Sequence, residues 1–324
     1  MNVVIFNTAI GTSNNGDYII YESAKEAINN LLDNSFVMEF GSHLNNLGAL
    51  HYVLPSPKCK FANICDYKFV MGTNLLTSNM FRSIRQWPVY SWNKKLYSNS
   101  IMMGVGTTYE DIHMDIFTKK MYCEILRKDI IHSVRDEKSK EMLESISGIK
   151  ALNTGCPTLW KLTEEVCAKI PSGKGKNVIV SVSGYKSQLD CDADQKMIDI
   201  IEENYDTVYL WAQTTEDEKY FRTLKHSKDY KILYSVKQFQ KCCENGDVDY
   251  IGTRLHGGIY AMQNGVRSII IEIDHRARGF RIDNNINTVD RKAISNLAEM
   301  INHDIKTDIH LNRNSITEWL SQFK

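Results

Sequence analysis

Ile251-Gly-Thr-Arg-Leu-His-Gly-Gly-Ile-Tyr260 decides how this chain is read. An apolar run, Val248 to Gly252, leads into it, and helical spacing opens at Gly258 and runs to Asn264. A second apolar run, Ser268-Ile-Ile-Ile-Glu-Ile273, follows and ends in Asp274-His-Arg-Ala-Arg278. Strand, helix, strand in that order is a βαβ unit, whose crossover is almost always right-handed. Its two strands are parallel, so both end at one edge of a sheet. Arg254, His256, His275, Arg276 and Arg278 are expected at that edge, where open α/β sheets bind ligands. Three guanidinium and two imidazole groups together point to an anion, because arginine grips phosphate and carboxylate through paired hydrogen bonds. Arg254 and His256 lie at a helix start, whose positive end adds attraction for phosphate. Gly257 and Gly258 are expected to let a ligand approach the backbone.

The rest of the chain alternates in the same way. Strands are predicted at 3–8, 36–40, 67–71, 101–105, 130–134 and 151–153, with helices over 17–32, 111–127 and 138–146. Ile170-Pro-Ser-Gly-Lys-Gly-Lys176 reads as a linker. Alternation then restarts, with strands at 177–183, 207–211 and 231–234 ahead of the opening βαβ unit, and helices at 291–302 and 315–323. Such alternation predicts parallel sheets covered on both faces. The expected architecture is α/β, with two Rossmann-like domains facing across a cleft in a GT-B-like arrangement. Residues 1–169 form the first, on the acceptor side, and residues 177–324 the second, on the donor or anion side.

With 43% hydrophobic and 24% charged residues, the composition is that of an ordinary globular protein. Net charge is zero, so no global field draws the chain to nucleic acid. The opening Met1-Asn-Val-Val-Ile-Phe6 lacks a basic leader and reads as a first strand rather than a signal peptide, which suggests a cytoplasmic protein. Eight cysteines show no CxxC pair and no zinc spacing, so reduced, buried thiols are expected, and neither a metal nor a cofactor. Asp190-Cys-Asp-Ala-Asp194 fails as an EF-hand, since Gln195 takes the glycine position; it reads as acids in the first turn of a helix.

Asn14-Asn-Gly-Asp17 before a helix, Ser133-Val-Arg-Asp-Glu-Lys-Ser139, Val180-Ser-Val-Ser183, Thr253-Arg-Leu-His-Gly257 with Ala261 and Gly265, and Asp274-His-Arg276 occur in one order. In that order and spacing the chain resembles the polysaccharide pyruvyl transferase family. The family often carries Gly-Gly after the strand that ends here at Met71-Gly-Thr-Asn74, where this chain has a single glycine. The resemblance implies transfer of pyruvate from phosphoenolpyruvate to two hydroxyls of a sugar, forming a ketal on a cell-surface polysaccharide precursor. It also implies that Arg135, Arg254 and His256 contact the donor. The chemistry needs arginines for the two anionic groups and an acid for the methylene carbon, for which histidine is the usual choice. His256 and His275 are the candidate acids, and Arg276 and Arg278 further donor contacts, although a solvated loop explains His275, Arg276 and Arg278 equally well.

Arg135 reads either as a donor contact or as half of an Arg-Asp pair at a helix start. Asp17 is a third catalytic candidate or simply a helix cap, with Asn15 and Gly16 shaping the acceptor side. Trp87-Pro-Val-Tyr-Ser-Trp-Asn-Lys-Lys95 is rich in aromatic and basic residues. Trp87, Trp92, Lys94 and Lys95 either border the site of an acceptor carried on a lipid at the inner membrane face, or fill the core and the solvated surface. A nucleotide-sugar glycosyltransferase and a silent anion- or sugar-binding protein are the alternative functions.

Overall fold

The computed structural model describes residues 1–48, 51, 56–82 and 86–323. The described residues divide into two compact units: Met1–Thr12, Ile20–Trp160 and Leu311–Lys324 in the first, Ser13–Ile19 and Lys161–His310 in the second. The chain thus passes between units more often than the single linker at 170–176 requires. The C-terminal helix, Arg313–Ser321, belongs to the first unit, not the second. The reason is apolar: Ile316, Trp319 and Phe323 recur at helical spacing and are buried against Phe69 and Trp160. The Phe69 and Phe323 rings lie 5.0 Å apart, edge to face.

Among the described residues, the first unit holds six parallel strands: β1 (Asn2–Asn7), β2 (Phe36–Gly41), β3 (Tyr67–Met71), β4 (Ser100–Met103), β5 (His132–Val134) and β6 (Ala151–Asn153). Four of them form a sheet in the order β2-β1-β3-β4, and β5-β6 extends it through a bridge between Val105 and Val134. β1, β3 and β4 are nearly continuous apolar runs, as strands covered on both faces must be. The order reverses between β1 and β3.

The second unit holds β7 (Asn177–Ser181), β8 (Thr207–Trp211), β9 (Tyr230–Leu233), β10 (Val248–Gly252), β11 (Ser268–Glu272) and β12 (Thr288–Asp290). All pairs are parallel, in the order β12-β11-β10-β7-β8-β9. Counted from β7 as first, this is the doubly wound order of Rossmann folds, with its reversal between β7 and β10. The expected βαβ unit is β10, the helix Leu255–Gln263 and β11. β12, Thr288-Val-Asp290, is not among the expected strands. No described helix is long and apolar enough to cross a membrane.

Two buried groups hold these units internally. Arg267, 1% exposed, donates to Asp249 at 2.6 Å and to the carbonyls of Ser172, Met300, Ile301 and His303 at 2.9–3.0 Å. It thereby caps the carboxyl end of the helix Leu297–Asn302 and compensates the buried Asp249. Replacing one partner of a buried ion pair costs about 3–5 kcal/mol, since the other charge is left uncompensated. Arg267→Met is therefore expected to lower the unfolding free energy of the second unit by that amount, read as a lower urea midpoint; an unchanged midpoint would refute the role.

His132 in β5 is fully buried in the first unit. Its Nδ1 accepts the Met102 amide at 3.1 Å, so Nε2 carries the proton that meets the Arg127 carbonyl at 2.8 Å. Burial pulls its pKa down to about 4, against a smaller opposing effect of the Arg127 carbonyl. A histidine neutral in the fold is protonated first in the unfolded chain. Its contribution is complete above the unfolded value near 6.5 and falls as pH drops toward 4, by about 3 kcal/mol over the whole window. Unfolding free energy measured from pH 7.5 to pH 4.5 should decline less steeply in His132→Asn than in wild type.

Candidate active site

The carboxyl edge of the second sheet is built around Arg254. Its amide donates to the Ser181 hydroxyl at 3.2 Å, and its carbonyl accepts the Tyr250 hydroxyl at 2.7 Å, so β7 and β10 both fix its backbone. Gly252 permits this, because a Cβ there would lie 2.3 Å from the Ser181 hydroxyl. The guanidinium meets the fully buried Asp217, through Nε at 2.9 Å and through Nη2, which also reaches Thr214 at 3.3 Å. The exposed Tyr185 ring covers one face of the group, 4.4 Å away. Burial opposes the Arg254 charge and Asp217 outweighs it, so the pKa is raised and the group stays cationic.

Asp217 in turn accepts the amides of Gly184 at 2.9 Å and Thr214 at 3.1 Å, closing a capping box on the helix Thr215–Phe221. Sequence reasoning missed Asp217 and Thr214. The signal was present as Thr214-Thr-Glu-Asp217, the spacing of a capping box, but nothing in it marks Arg254 as the partner. Arg254 thus gives these side-chain hydrogen bonds to groups of its own unit.

His256 is the second residue of the helix Leu255–Gln263 and is half-buried. The glycines after it serve packing and not ligand approach, which corrects the expectation for them. A Cβ on Gly257 would lie 2.6 Å from the Tyr250 hydroxyl, and one on Gly258 would lie 2.6 Å from the Ile270 side chain. They let the helix lie close on the sheet. At the end of β11, Asp274 caps the helix His275–Asn284 and takes Arg276 at 2.9 Å through Nε and 2.5 Å through Nη2. Burial opposes ionisation of Asp274, but Arg276 and two backbone amides outweigh it and lower its pKa. Gln188 joins Asp274 at 3.1 Å and Ser183 at 2.5 Å, so the loops after β7 and β11 are tied together. His275 is half-buried in the first turn of its helix, and Arg278 is exposed.

Asn15 and Gly16, expected beside the acceptor, cluster with the second unit. Asn15 donates through its amide to Gln213 at 3.0 Å and through its side chain to Tyr234 at 3.1 Å, while Gln213 holds Asn14 at 2.8 Å. A Cβ on Gly16 would lie 2.6 Å from the Gln213 side chain. This turn fastens onto the carboxyl ends of β8 and β9. Asp17 sits half-buried in the first turn of the helix Asn15–Ala27.

In the first unit, Arg135 follows β5 and is 6% exposed. Its Nε meets Asp136 at 3.2 Å, and Asp136 caps the helix Glu137–Glu144 through Ser139. Burial opposes the Asp136 charge, yet Arg135 and Ser139 lower its pKa overall. The guanidinium lies against Gly106, where a Cβ would come within 2.2 Å of Nε. Among the described residues, neither terminal nitrogen of Arg135 has a hydrogen-bond partner.

Trp87 is 4% exposed and meets Tyr97 edge to face at 5.5 Å, so its ring belongs to the core. Trp92 is 48% exposed and stacks on Tyr90 at 5.7 Å. Lys94 pairs with Glu124 at 2.5 Å, and Lys95 is exposed. Asp190 caps the helix Cys191–Asn204, and Asp194 pairs with Arg291 at 2.5 Å. Among the described residues, no three His, Cys, Asp or Glu side chains are arranged to hold a metal ion.

Two doubly wound parallel units, with Arg135 at the carboxyl edge of the first and Arg254 and His256 at that of the second, define an α/β protein of the GT-B type. The model of the polysaccharide pyruvyl transferase family matches residues 14–275, and the chain belongs to that family. UDP-GlcNAc 2-epimerase of Methanocaldococcus jannaschii superposes with a TM-score of 0.53 at 14% identity, over 99% of this chain and 98% of that one. This likeness concerns the fold alone. E. coli heptosyltransferase WaaC matches with a TM-score of 0.40 at 10% identity, over 84% of this chain and 88% of that one. A search of curated proteins by sequence finds no match.

Because Asp217 is fully buried, Arg254 has a structural duty besides any contact with a ligand. Arg254→Met should destabilise the second unit by about 3–5 kcal/mol. Arg254→Met/Asp217→Asn should recover part of that loss in urea unfolding, since no carboxylate is then stranded. Additive losses in the double variant would disprove the coupling.

Proposed function

We propose that this protein transfers pyruvate from phosphoenolpyruvate to a sugar of a cell-surface polysaccharide precursor, forming a pyruvate ketal. The observation that carries the reading is Arg135. A guanidinium 6% exposed, with both terminal nitrogens unpartnered among the described residues, is poised for a small anion. The Thr253-Arg-Leu-His256 edge of the second unit adds a cation and an imidazole at a helix start. Membership of the family supports the same chemistry.

The reaction balances without a redox partner. A proton is added to the methylene carbon of phosphoenolpyruvate, leaving an oxocarbenium-like centre at the neighbouring carbon. One sugar hydroxyl adds there and loses its proton, and a second displaces inorganic phosphate. His256 is assigned the first proton, with His275 and then Asp17 as the remaining candidates. Arg135, Arg254, Arg276 and Arg278 are proposed contacts of the donor, Arg276 through whatever Asp274 leaves unengaged. On this reading the acceptor hangs from a lipid carrier. The exposed Trp92 and Lys95, rather than the buried Trp87 or the paired Lys94, are the members of that segment proposed to contact it.

Ligand binding to the fold raises its stability by mass action, by about 2.7 kcal/mol at a hundredfold excess over Kd. Phosphoenolpyruvate should therefore raise the melting temperature, and Arg135→Gln should abolish that shift with little change in the ligand-free melt. His256→Gln should bind the donor normally in calorimetry but turn over about 10²- to 10⁴-fold more slowly. A shift with nucleotide sugars and none with phosphoenolpyruvate would replace this reading with glycosyl transfer.

A further inference from the structure

The loop after β3 carries backbone strain and uncommitted polar side chains at the point where the first sheet reverses. Gly72 and Thr73 both have positive φ, +66° and +57°. Gly72 must be glycine, since a Cβ would lie 2.1 Å from Ile20. Thr73 holds a left-handed backbone that a β-branched residue rarely adopts. The backbone around it is firmly held. Gly72 donates to Met103 at 2.8 Å, Gly106 donates to the Thr73 carbonyl at 2.8 Å, and the Thr108 hydroxyl donates to the Asn74 carbonyl at 2.6 Å.

The two side chains are not held in this way. Among the described residues, neither Thr73 nor Asn74 makes a side-chain hydrogen bond, and the side-chain amide oxygen Oδ1 of Asn74 is buried without a partner. A glycine would remove the strain at Thr73, so the hydroxyl is kept at an energetic cost. Strain that persists with no internal partner for the side chain causing it points to a ligand. The site lies at the carboxyl end of β3, beside the reversal between β1 and β3, where open sheets bind ligands.

We propose that Thr73 and Asn74 form a subsite for the hydroxyls of a neutral sugar. A hydroxyl and a primary amide together supply donors and acceptors for a vicinal diol. The run Met71-Gly-Thr-Asn-Leu-Leu76 carries no charge, so it suits a neutral ring rather than an anion. The inference rests on the pyruvyl-transfer reading in taking the sugar to be the acceptor, but sugar binding is measured without the donor.

The full-length protein is titrated with methyl glycosides of glucose, galactose and mannose by saturation-transfer NMR, and separately with phosphoenolpyruvate by calorimetry. At least one glycoside should bind wild type. Asn74→Ala and Thr73→Gly should each weaken it by about tenfold, the loss of one neutral hydrogen bond. Thr73→Gly should melt at the wild-type temperature or above, which separates a lost contact from a lost fold. Phosphoenolpyruvate affinity should be unchanged in both variants. Unchanged sugar binding in both, or no glycoside bound by wild type, overturns the subsite. Sugar binding that depends on Asn74 in a protein that ignores phosphoenolpyruvate overturns the donor reading and leaves the subsite standing.

Discussion

The ion pair between Asp217 and Arg254 organises the second unit. A parallel sheet ends in loops that must be joined to one another or to a ligand, because their amides and carbonyls have left the ladder. Here one buried carboxylate collects the amide of Gly184 after β7, the amide of Thr214 after β8, and the guanidinium of Arg254 after β10. Three loop ends therefore share one charge. The pair is compensated on both sides, so it does not carry the desolvation penalty of a lone buried ion. The helix Leu255–Gln263, with His256 in its first turn, starts from a residue whose backbone and side chain are both fixed.

Two arginines of similar burial are in different electrostatic states. Arg254 answers a fully buried carboxylate through two nitrogens. Arg135 answers the partly buried Asp136 through one. The first resembles a structural ion pair. The second has its terminal nitrogens available. The unanswered guanidinium is the stronger sign of a ligand, because a buried cation without full compensation is costly. The loop after β3 follows the same logic without charge: its backbone is satisfied and its side chains are not.

Fold class was legible because it rests on periodicity. Apolar runs alternating with helical spacing, and the βαβ unit around Thr253-Arg-Leu-His256, needed no long-range information. The placement of the motifs at strand ends was legible for a similar reason: topology brings the carboxyl ends of parallel strands to one edge once the strands are placed. The role of each residue within that edge was not. Gly257 and Gly258 read as room for a ligand until Tyr250 and Ile270 were seen beneath them. Trp87 and Trp92 are alike in a sequence, five residues apart, yet one lies in the core and the other is half-exposed. Asn15 sits between two elements of the first unit in sequence but bonds to Gln213 and Tyr234 of the second.

The sequence by itself determined the alternation of strands and helices, their parallel arrangement, and which edge gathers arginine and histidine, since local spacing and the handedness of crossovers dictate these. Only the tertiary structure decided which carboxylate answers which arginine, where the segment 13–19 and the last helix belong, and that Thr73 holds a backbone suited to glycine. Those outcomes depend on partners tens to hundreds of residues away. The free energy of a buried charge or a strained dihedral is set by its surroundings, and surroundings exist only once the chain has folded.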